Sequence, residues 1–146
     1  MSSDEPRQSE FLADFFTQRI RLAWSQNQLH VAEFLYQNLS EINLQPRQSQ
    51  KLTLQIAETF QDIGTDLLQK KSLDGAIKYL RWSWDYLLQV LRVGNLTVDA
   101  SELSINVRHN LTKALIRRNA NSELDLERAT EFLDGLSLVC FPSLVR

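Results

Sequence analysis

Residues 60–80 read FQDIGTDLLQKKSLDGAIKYL and contain the clearest helical spacing in the chain. Apolar residues recur at intervals of three and four on both sides of the polar turn KKS, which predicts two amphipathic helices joined by a short connection. Gly64 lies inside the first of these helices, where a glycine costs about 1 kcal/mol relative to alanine and therefore needs a packing reason. We interpret Gly64 and Ala76 as the small residues that let two antiparallel helices approach closely where they cross.

The same helical periodicity extends over the rest of the chain, which contains only four glycines and three prolines. This pattern predicts an all-α fold of about six helices. The first is expected to begin near Glu10, and the second runs from about Leu29 to Leu39. Pro46 marks the clearest boundary, because proline does not fit inside a helix. Two further helices are expected within residues 47–92. A fifth is expected to begin at Asp99, which forms a capping pair with Glu102, and a sixth at Ser122. In the first helix we expect one buried face, formed by Phe11, Phe15 or Phe16, Ile20 and Ala23.

A short pattern occurs three times, as LHVAEFLY (29–36), LDGAIKYL (73–80) and LERATEFL (126–133), each with an alanine at its fourth position. These alanines are Ala32, Ala76 and Ala129. The central hairpin also follows the tetratricopeptide repeat pattern. The matching positions are Phe60, Ile63, Gly64, Leu67, Ala76 and Leu80. The sequence therefore predicts tetratricopeptide-like antiparallel hairpins stacked as a short solenoid.

The predicted organisation has three parts. Residues 1–9 are expected to be a disordered N-terminus, and residues 10–138 a repeat domain with hairpins at about 10–43, 47–92 and 99–138. Residues 139–146 form a C-terminal tail. Its segment LVCFPSLVR does not resemble the polar capping helix that ends a solenoid, so we expect a truncated product.

Composition and motifs argue against several classes of function. The 16 Lys and Arg residues are balanced by 18 Asp and Glu residues, so no overall positive field would attract nucleic acid. No run of 18 apolar residues suggests a membrane span. His30 and His109 belong to no metal-binding or catalytic spacing, and there is no phosphate-binding glycine loop. We therefore expect no enzyme activity, no metal or other cofactor, no small-molecule substrate, and partners that are other proteins.

Two groups of residues are candidates for binding those partners. Trp82 and Trp84, in RWSWDY (81–86), lie about 200° apart on a helix, so we expect one of them to be exposed in this chain. That tryptophan either packs against the neighbouring hairpin or anchors a partner. The inner surface of the solenoid is expected to consist of Asp14, Thr17, Arg21 and Trp24 from the first repeat, and Glu58, Gln61, Thr65 and Gln69 from the second.

Two longer segments resemble the fungal meiotic scaffold family of sporulation-specific protein twenty-two and Zip-four. They are KLTLQIAETFQDIGTDLLQKKSLDGAIKYLRWSWDYL (51–87) and DASELSINVRHNLTKALI (99–116). AEFLY (32–36) is similar to a preceding repeat of that family, so the resemblance covers about residues 11–118. The residues that carry it are Ile63, Gly64, Lys70, Lys71, Ala76, Trp82, Trp84, Tyr86, Glu102 and Leu103. The resemblance implies a non-enzymatic scaffold on meiotic chromosomes in the nucleus, which bridges recombination and synaptonemal-complex factors and promotes crossovers.

Two other functions remain open at this point. The chain could be a generic cytosolic tetratricopeptide adaptor that binds a peptide or a chaperone tail by clamping its terminal carboxylate. The clamp positions would be Thr17, Arg21, Gln61 and Thr65, of which only Arg21 carries a positive charge. A third hypothesis, an enzyme or nucleic-acid binder built on a helical bundle, has no motif in its favour.

Overall fold

The computed structural model describes residues 5–45, 47–93 and 97–118, with side chains from Arg7 onward. This part of the chain contains five α-helices and no strand, which confirms the all-α prediction. The helices are α1 (Glu5–Ser25), α2 (Leu29–Ser40), α3 (Gln50–Gln69), α4 (Leu73–Arg92) and α5 (Val98–Arg118). The expected sixth helix, with Ala129, and the C-terminal tail lie outside the described residues.

Most helices pack against their neighbours in sequence, whereas α2 and α3 make no extensive contact with each other. The α3–α4 contact is the most extensive, α1 contacts both α2 and α3, and α3 contacts both α4 and α5, which also contact each other. Helices α3 and α4 are antiparallel, since Gly64 meets Leu80 near the turn while Ser83 donates a hydrogen bond to the carbonyl of Ala57 one layer further away. The predicted central hairpin is therefore present.

The close approach of that hairpin occurs at Gly64, but its neighbour is not the residue we expected. A β-carbon on Gly64 would lie 2.6 Å from Cγ of Leu80 and 3.3 Å from its backbone nitrogen. Leu80, one turn beyond Ala76, is thus the residue for which Gly64 leaves room. Ala76 is fully buried. The periodicity identified the right helices, whereas the residue opposite Gly64 depends on how α4 is rotated about its axis.

The turns that end α1 and α3 have the same backbone structure. Asn27 and Lys71 adopt positive φ values of 58° and 63°. The residue after each of them donates a backbone hydrogen bond to the carbonyl five residues earlier. In α1 the amide of Gln28 bonds to the carbonyl of Ala23 (2.8 Å), and in α3 the amide of Ser72 bonds to the carbonyl of Leu67 (2.9 Å). This is the Schellman arrangement, in which a left-handed residue satisfies the last free carbonyls of a helix.

An aromatic cluster joins α2, α3 and α4. The rings of Tyr36 and Trp82 are stacked, with centroids 3.7 Å apart and planes 9° apart. Phe60 lies edge-on to both of them, at 5.5 Å and 5.7 Å. Tyr79 meets Trp82 edge-on at 4.8 Å. Since such contacts add to the free energy gained by burial, the cluster fixes the first hairpin against the second.

Two expectations for the N-terminal region were wrong. Residues 5–9 were expected to be disordered, but α1 begins at Glu5 and includes them. Pro6 is compatible with this start, because the fixed backbone angle of proline suits the first turn of a helix. Phe11 does not face the core: it is 72% exposed, whereas Ile20 is buried. Of the alternatives Phe15 and Phe16, Phe16 packs against the core and Phe15 is 49% exposed. Phe11 and Ile20 are nine residues apart, which places them on opposite sides of a helix, about 180° apart.

Candidate functional site

A groove of about 490 Å³ lies between α3 and α5. Eight of its ten lining residues are polar or charged; the full set is Lys51, Leu54, Gln55, Glu58, Gln61, Asp62, Asp99, Glu102, Leu103 and Asn106. Helix α3 supplies one wall with residues spaced three and four apart, and the first turns of α5 supply the other. The groove is therefore built on two helices whose opposite faces are held in the core.

The charge of the groove is negative. Four carboxylates line it, Glu58 and Asp62 on α3 and Asp99 and Glu102 on α5, and Lys51 is the one cation among the lining residues. Carboxylates gathered along one concave surface create a negative potential that attracts cationic groups. The arrangement suits a protein segment that carries lysine or arginine.

Asp62 lies at the edge of the groove nearest to α1. Its Oδ2 is 3.6 Å from Nη2 of Arg21. Burial raises the pKa of Asp62, and the neighbouring Arg21 opposes this shift without cancelling it. A cationic group of a ligand would favour the charged form of Asp62 in the same way as Arg21 does.

Trp24 and Asp66 link α1 to α3 outside the groove. Nε1 of Trp24 donates a hydrogen bond of 2.9 Å to Oδ2 of Asp66. Lys70 lies 3.0 Å from the same oxygen. The hydrogen bond from Trp24, followed by the interactions with Lys70, holds the pKa of Asp66 below its usual value despite partial burial.

The residues of the predicted inner surface lie in different environments. Glu58 and Gln61 line the groove. Asp14 and Gln69 are exposed but lie away from it. Thr17 was assigned wrongly, because it is only 3% exposed and its hydroxyl donates a hydrogen bond of 2.6 Å to the carbonyl of Ala13. A threonine can be buried in a helix when that bond satisfies its hydroxyl, so its polarity did not indicate exposure.

The carboxylate-clamp positions are occupied by contacts within the protein. Arg21 pairs with Asp62. The hydroxyl of Thr65 accepts hydrogen bonds from Nε2 of Gln61 (3.1 Å) and Nδ2 of Asn110 (3.4 Å). The neighbouring groove is acidic and would repel a terminal carboxylate, so the geometry does not favour the clamp.

We expected one tryptophan of RWSWDY to be exposed, but Trp84 is buried and Trp82 is half-buried. Trp84 is 9% exposed, and half-buried Trp82 stacks on Tyr36. Of the two alternatives for the outward tryptophan, the structure therefore favours packing against the neighbouring hairpin. Burial leaves Trp84 unable to present its ring as an exposed anchor.

The α5 wall of the groove was not predicted as a binding surface. Asp99 and Glu102 were interpreted as a capping pair, but α5 begins at Val98 and the side chain that accepts a hydrogen bond at its start is Thr97, from the amide of Ala100 (3.1 Å). With Thr97 as the cap, both carboxylates are on the surface of the helix. The threonine one residue before Val98 was the signal that could have shown this.

Among residues 5–45, 47–93 and 97–118, no group of three or more His, Cys, Asp or Glu side chains is placed to hold a metal ion. None of the five helices is both long enough and apolar enough to cross a bilayer.

Comparison with known proteins gives one match. The profile of the family described as "Meiosis protein SPO22/ZIP4 like" matches residues 22–142, which include all of α2 to α5. No curated protein and no solved structure gives a significant match. The profile match covers well over half of the chain and agrees with the resemblance carried by residues 51–87 and 99–116. The chain belongs to the SPO22/ZIP4-like family of meiosis proteins.

Proposed function

We propose that this chain is a non-enzymatic scaffold that binds other proteins during meiosis. On chromosomes in the nucleus it would hold recombination and synapsis factors together, promote crossover formation and assist assembly of the synaptonemal complex. Membership in a family of meiosis proteins supports the process. The observation that carries the binding role is the acidic groove between α3 and α5.

We further propose that the helices form a tetratricopeptide-like solenoid. Two features support this arrangement. First, α1 contacts α2 and α3 in the way that α3 contacts α4 and α5, which is the order of contacts in stacked hairpins. Second, the turn residues Asn27 and Lys71 are 44 residues apart, the same interval as between Ala32 and Ala76. A shared interval for the turn and for the small packing residue is expected of a structural repeat.

The groove would recognise its partner chiefly by charge. Four carboxylates and a volume of about 490 Å³ suit a short extended or helical segment with several lysine or arginine side chains. Leu54 and Leu103 supply apolar contact along the walls. Interactions of this kind are steered by long-range attraction and weaken as salt rises.

Charge reversal on both walls of the groove tests this proposal. Glu58→Lys changes α3 and Glu102→Lys changes α5; both side chains are exposed, so the fold should be retained. Glu41→Lys is the matched control, since Glu41 is an exposed glutamate at the end of α2, outside the groove lining. Each variant is expressed in meiotic cells, and the copurified proteins and the location of the chain are determined.

The expected result is that Glu58→Lys and Glu102→Lys lose recombination and synapsis proteins from the copurified set, while Glu41→Lys retains them. All three should remain folded by circular dichroism. If the wild-type chain is found only in the cytosol, or if both groove variants copurify the same proteins as the wild type, the proposal is wrong.

A further inference from the structure

A stripe of exposed apolar residues runs along α1, on the side opposite its buried face. Phe11, Phe15 and Leu22 are 72%, 49% and 46% exposed. With Gln18 between them they fall within about 60° on the helix, and buried Ile20 lies about 180° from Phe11. We call Phe11, Phe15, Gln18 and Leu22 the α1 stripe. A contiguous set of exposed apolar side chains is typical of an interaction surface.

The spacing of the α1 stripe is that of a coiled-coil seam. Its members are separated by four, three and four residues, which corresponds to alternating d and a positions of a heptad. In this register Asp14 takes position g and Arg19 takes position e, so they flank the stripe on its two opposite edges. Both are exposed. The guanidinium of Arg19 lies 6.0 Å from the ring of Phe15, beside the seam.

These two charges identify the occupant of the stripe. In a parallel pair of helices, a g residue of one helix faces the e residue five positions later on the other, so Asp14 of one copy would face Arg19 of the other. Because the pair has two-fold symmetry, this attractive contact occurs twice in the dimer. In an antiparallel pair g faces g and e faces e, so Arg19 would meet Leu12. Asp14 would meet Arg21, which is already paired with Asp62 of its own chain. The self-complementary pattern therefore indicates a second copy of the same chain.

We propose that two copies of this protein associate as a symmetric dimer through parallel packing of their α1 stripes, with Phe11, Phe15 and Leu22 in the seam and Asp14 paired with Arg19 of the other copy. A two-fold interface uses the same patch on both copies and closes without forming a filament. At the N-terminal end of the seam, a concave surface of about 500 Å³ provides room for side chains of the other copy. It is bordered by Arg7, Gln8, Phe11 and Leu12. The dimer would leave the α3–α5 groove open in both copies, since no α1 residue lines that groove.

The test is the mass of the full chain in solution, measured by sedimentation equilibrium up to a concentration of about 100 µM. The wild type is expected to be a dimer. Phe15→Glu should weaken the dimer by at least about a hundredfold, because it places a charge in the centre of the seam. Phe34→Glu is the control, since Phe34 is 66% exposed and lies on α2, outside the stripe. It should not change the mass.

A charge swap separates this interface from any other mode of association. Asp14→Arg alone and Arg19→Asp alone should each weaken the dimer roughly tenfold, because each places like charges opposite one another twice. The double variant restores opposite charges and should dimerise about as tightly as the wild type. A monomeric wild type, a Phe15→Glu variant that still dimerises like the wild type, or a double variant as weak as its parents would each overturn the proposal.

Discussion

Gly64 and Leu80 are so close that a β-carbon on the glycine would lie 2.6 Å from Cγ of the leucine. Cδ2 of Leu80 would be at 2.8 Å and its backbone nitrogen at 3.3 Å, so both the side chain and the main chain of α4 press against this position of α3. Leu80 is fully buried, and buried side chains are closely packed by their neighbours. The contact fixes the distance between the two helices of the central hairpin.

In Gly64→Ala, overfilling the packed core is expected to cost about 1–3 kcal/mol. Alanine regains about 1 kcal/mol of this inside a helix, so the expected net destabilisation is up to about 2 kcal/mol. Gly64→Leu should be more harmful still. The free energy of unfolding, measured by urea denaturation, checks both variants.

Gly75→Ala is the control for that substitution. Gly75 is in the first turn of α4, and a β-carbon there would meet only side-chain atoms, Cδ1 of Leu67 at 3.2 Å and Oγ of Ser72 at 3.3 Å. The substitution should cost less than Gly64→Ala. A Gly64→Ala variant as stable as the wild type would contradict the close approach of α3 and α4.

Asp66 should titrate at lower pH than Asp62, although both are aspartates on α3. The hydrogen bond from Trp24 lowers the pKa of Asp66, whereas burial raises the pKa of Asp62. Trp24→Phe removes the donor and should raise the pKa of Asp66 towards its unfolded value of about 3.9. Carboxyl chemical shifts followed by NMR across the acid range measure both groups in the same sample. The same pKa for Asp66 in both proteins would contradict the bond.

The pH dependence of stability follows from the same bond. Because its folded pKa is lowered, Asp66 stabilises the protein above its unfolded pKa, and this contribution disappears as the pH falls through the folded value. Trp24→Phe should thus cost about 1 kcal/mol at neutral pH, a modest value because the carboxylate is partly hydrated. The difference between the two proteins should narrow in acid. A difference that stays constant from pH 7 to about pH 2 would mean that the indole contributes by packing alone.

Tyr36 and Trp82 should be energetically coupled across the two hairpins. Their rings are stacked 3.7 Å apart, and such pairs contribute about 0.5–1.5 kcal/mol beyond the burial of their area. Tyr36→Ala, Trp82→Ala and the double variant form a thermodynamic cycle, with the unfolding free energy as its readout. Tyr36→Ala combined with Val107→Ala on α5 is the control cycle, for which additive effects are expected. Additivity in the Tyr36–Trp82 cycle would show that the stacking does not stabilise the docking of α2.

The central hairpin was predictable because its signals are local. The apolar spacing in residues 60–80, the polar KKS turn and the mid-helix glycine together predicted helices that the structure places at Gln50–Gln69 and Leu73–Arg92. Phe11 was misjudged although its nine-residue spacing from Ile20 places the two on opposite sides of a helix, and Thr17 was misjudged because a polar side chain was taken to be exposed. Phe11 faces outward, and Thr17 is buried with its hydroxyl bonded to Ala13.

The candidate site was predictable only on one wall. Glu58 and Gln61 followed from the register of α3, which a repeat pattern provides. Asp99 and Glu102 come from α5, and their place beside α3 depends on how the second hairpin packs on the next helix. A contact between helices that are far apart in sequence cannot be read from the residue spacing within either helix. Acidic residues in a first helical turn are also explained by the helix dipole, so they do not by themselves indicate a binding surface.

Crossover frequency in meiosis shows whether the acidic groove is needed for function. Crossovers per meiosis are counted in cells whose only copy of this chain is the wild type, Glu58→Lys, Glu102→Lys or the control Glu41→Lys, at equal protein levels. We expect fewer crossovers with either groove variant and a wild-type number with the control. Wild-type crossover numbers in both groove variants would contradict the proposal that the acidic groove between α3 and α5 binds the partners of this meiosis protein.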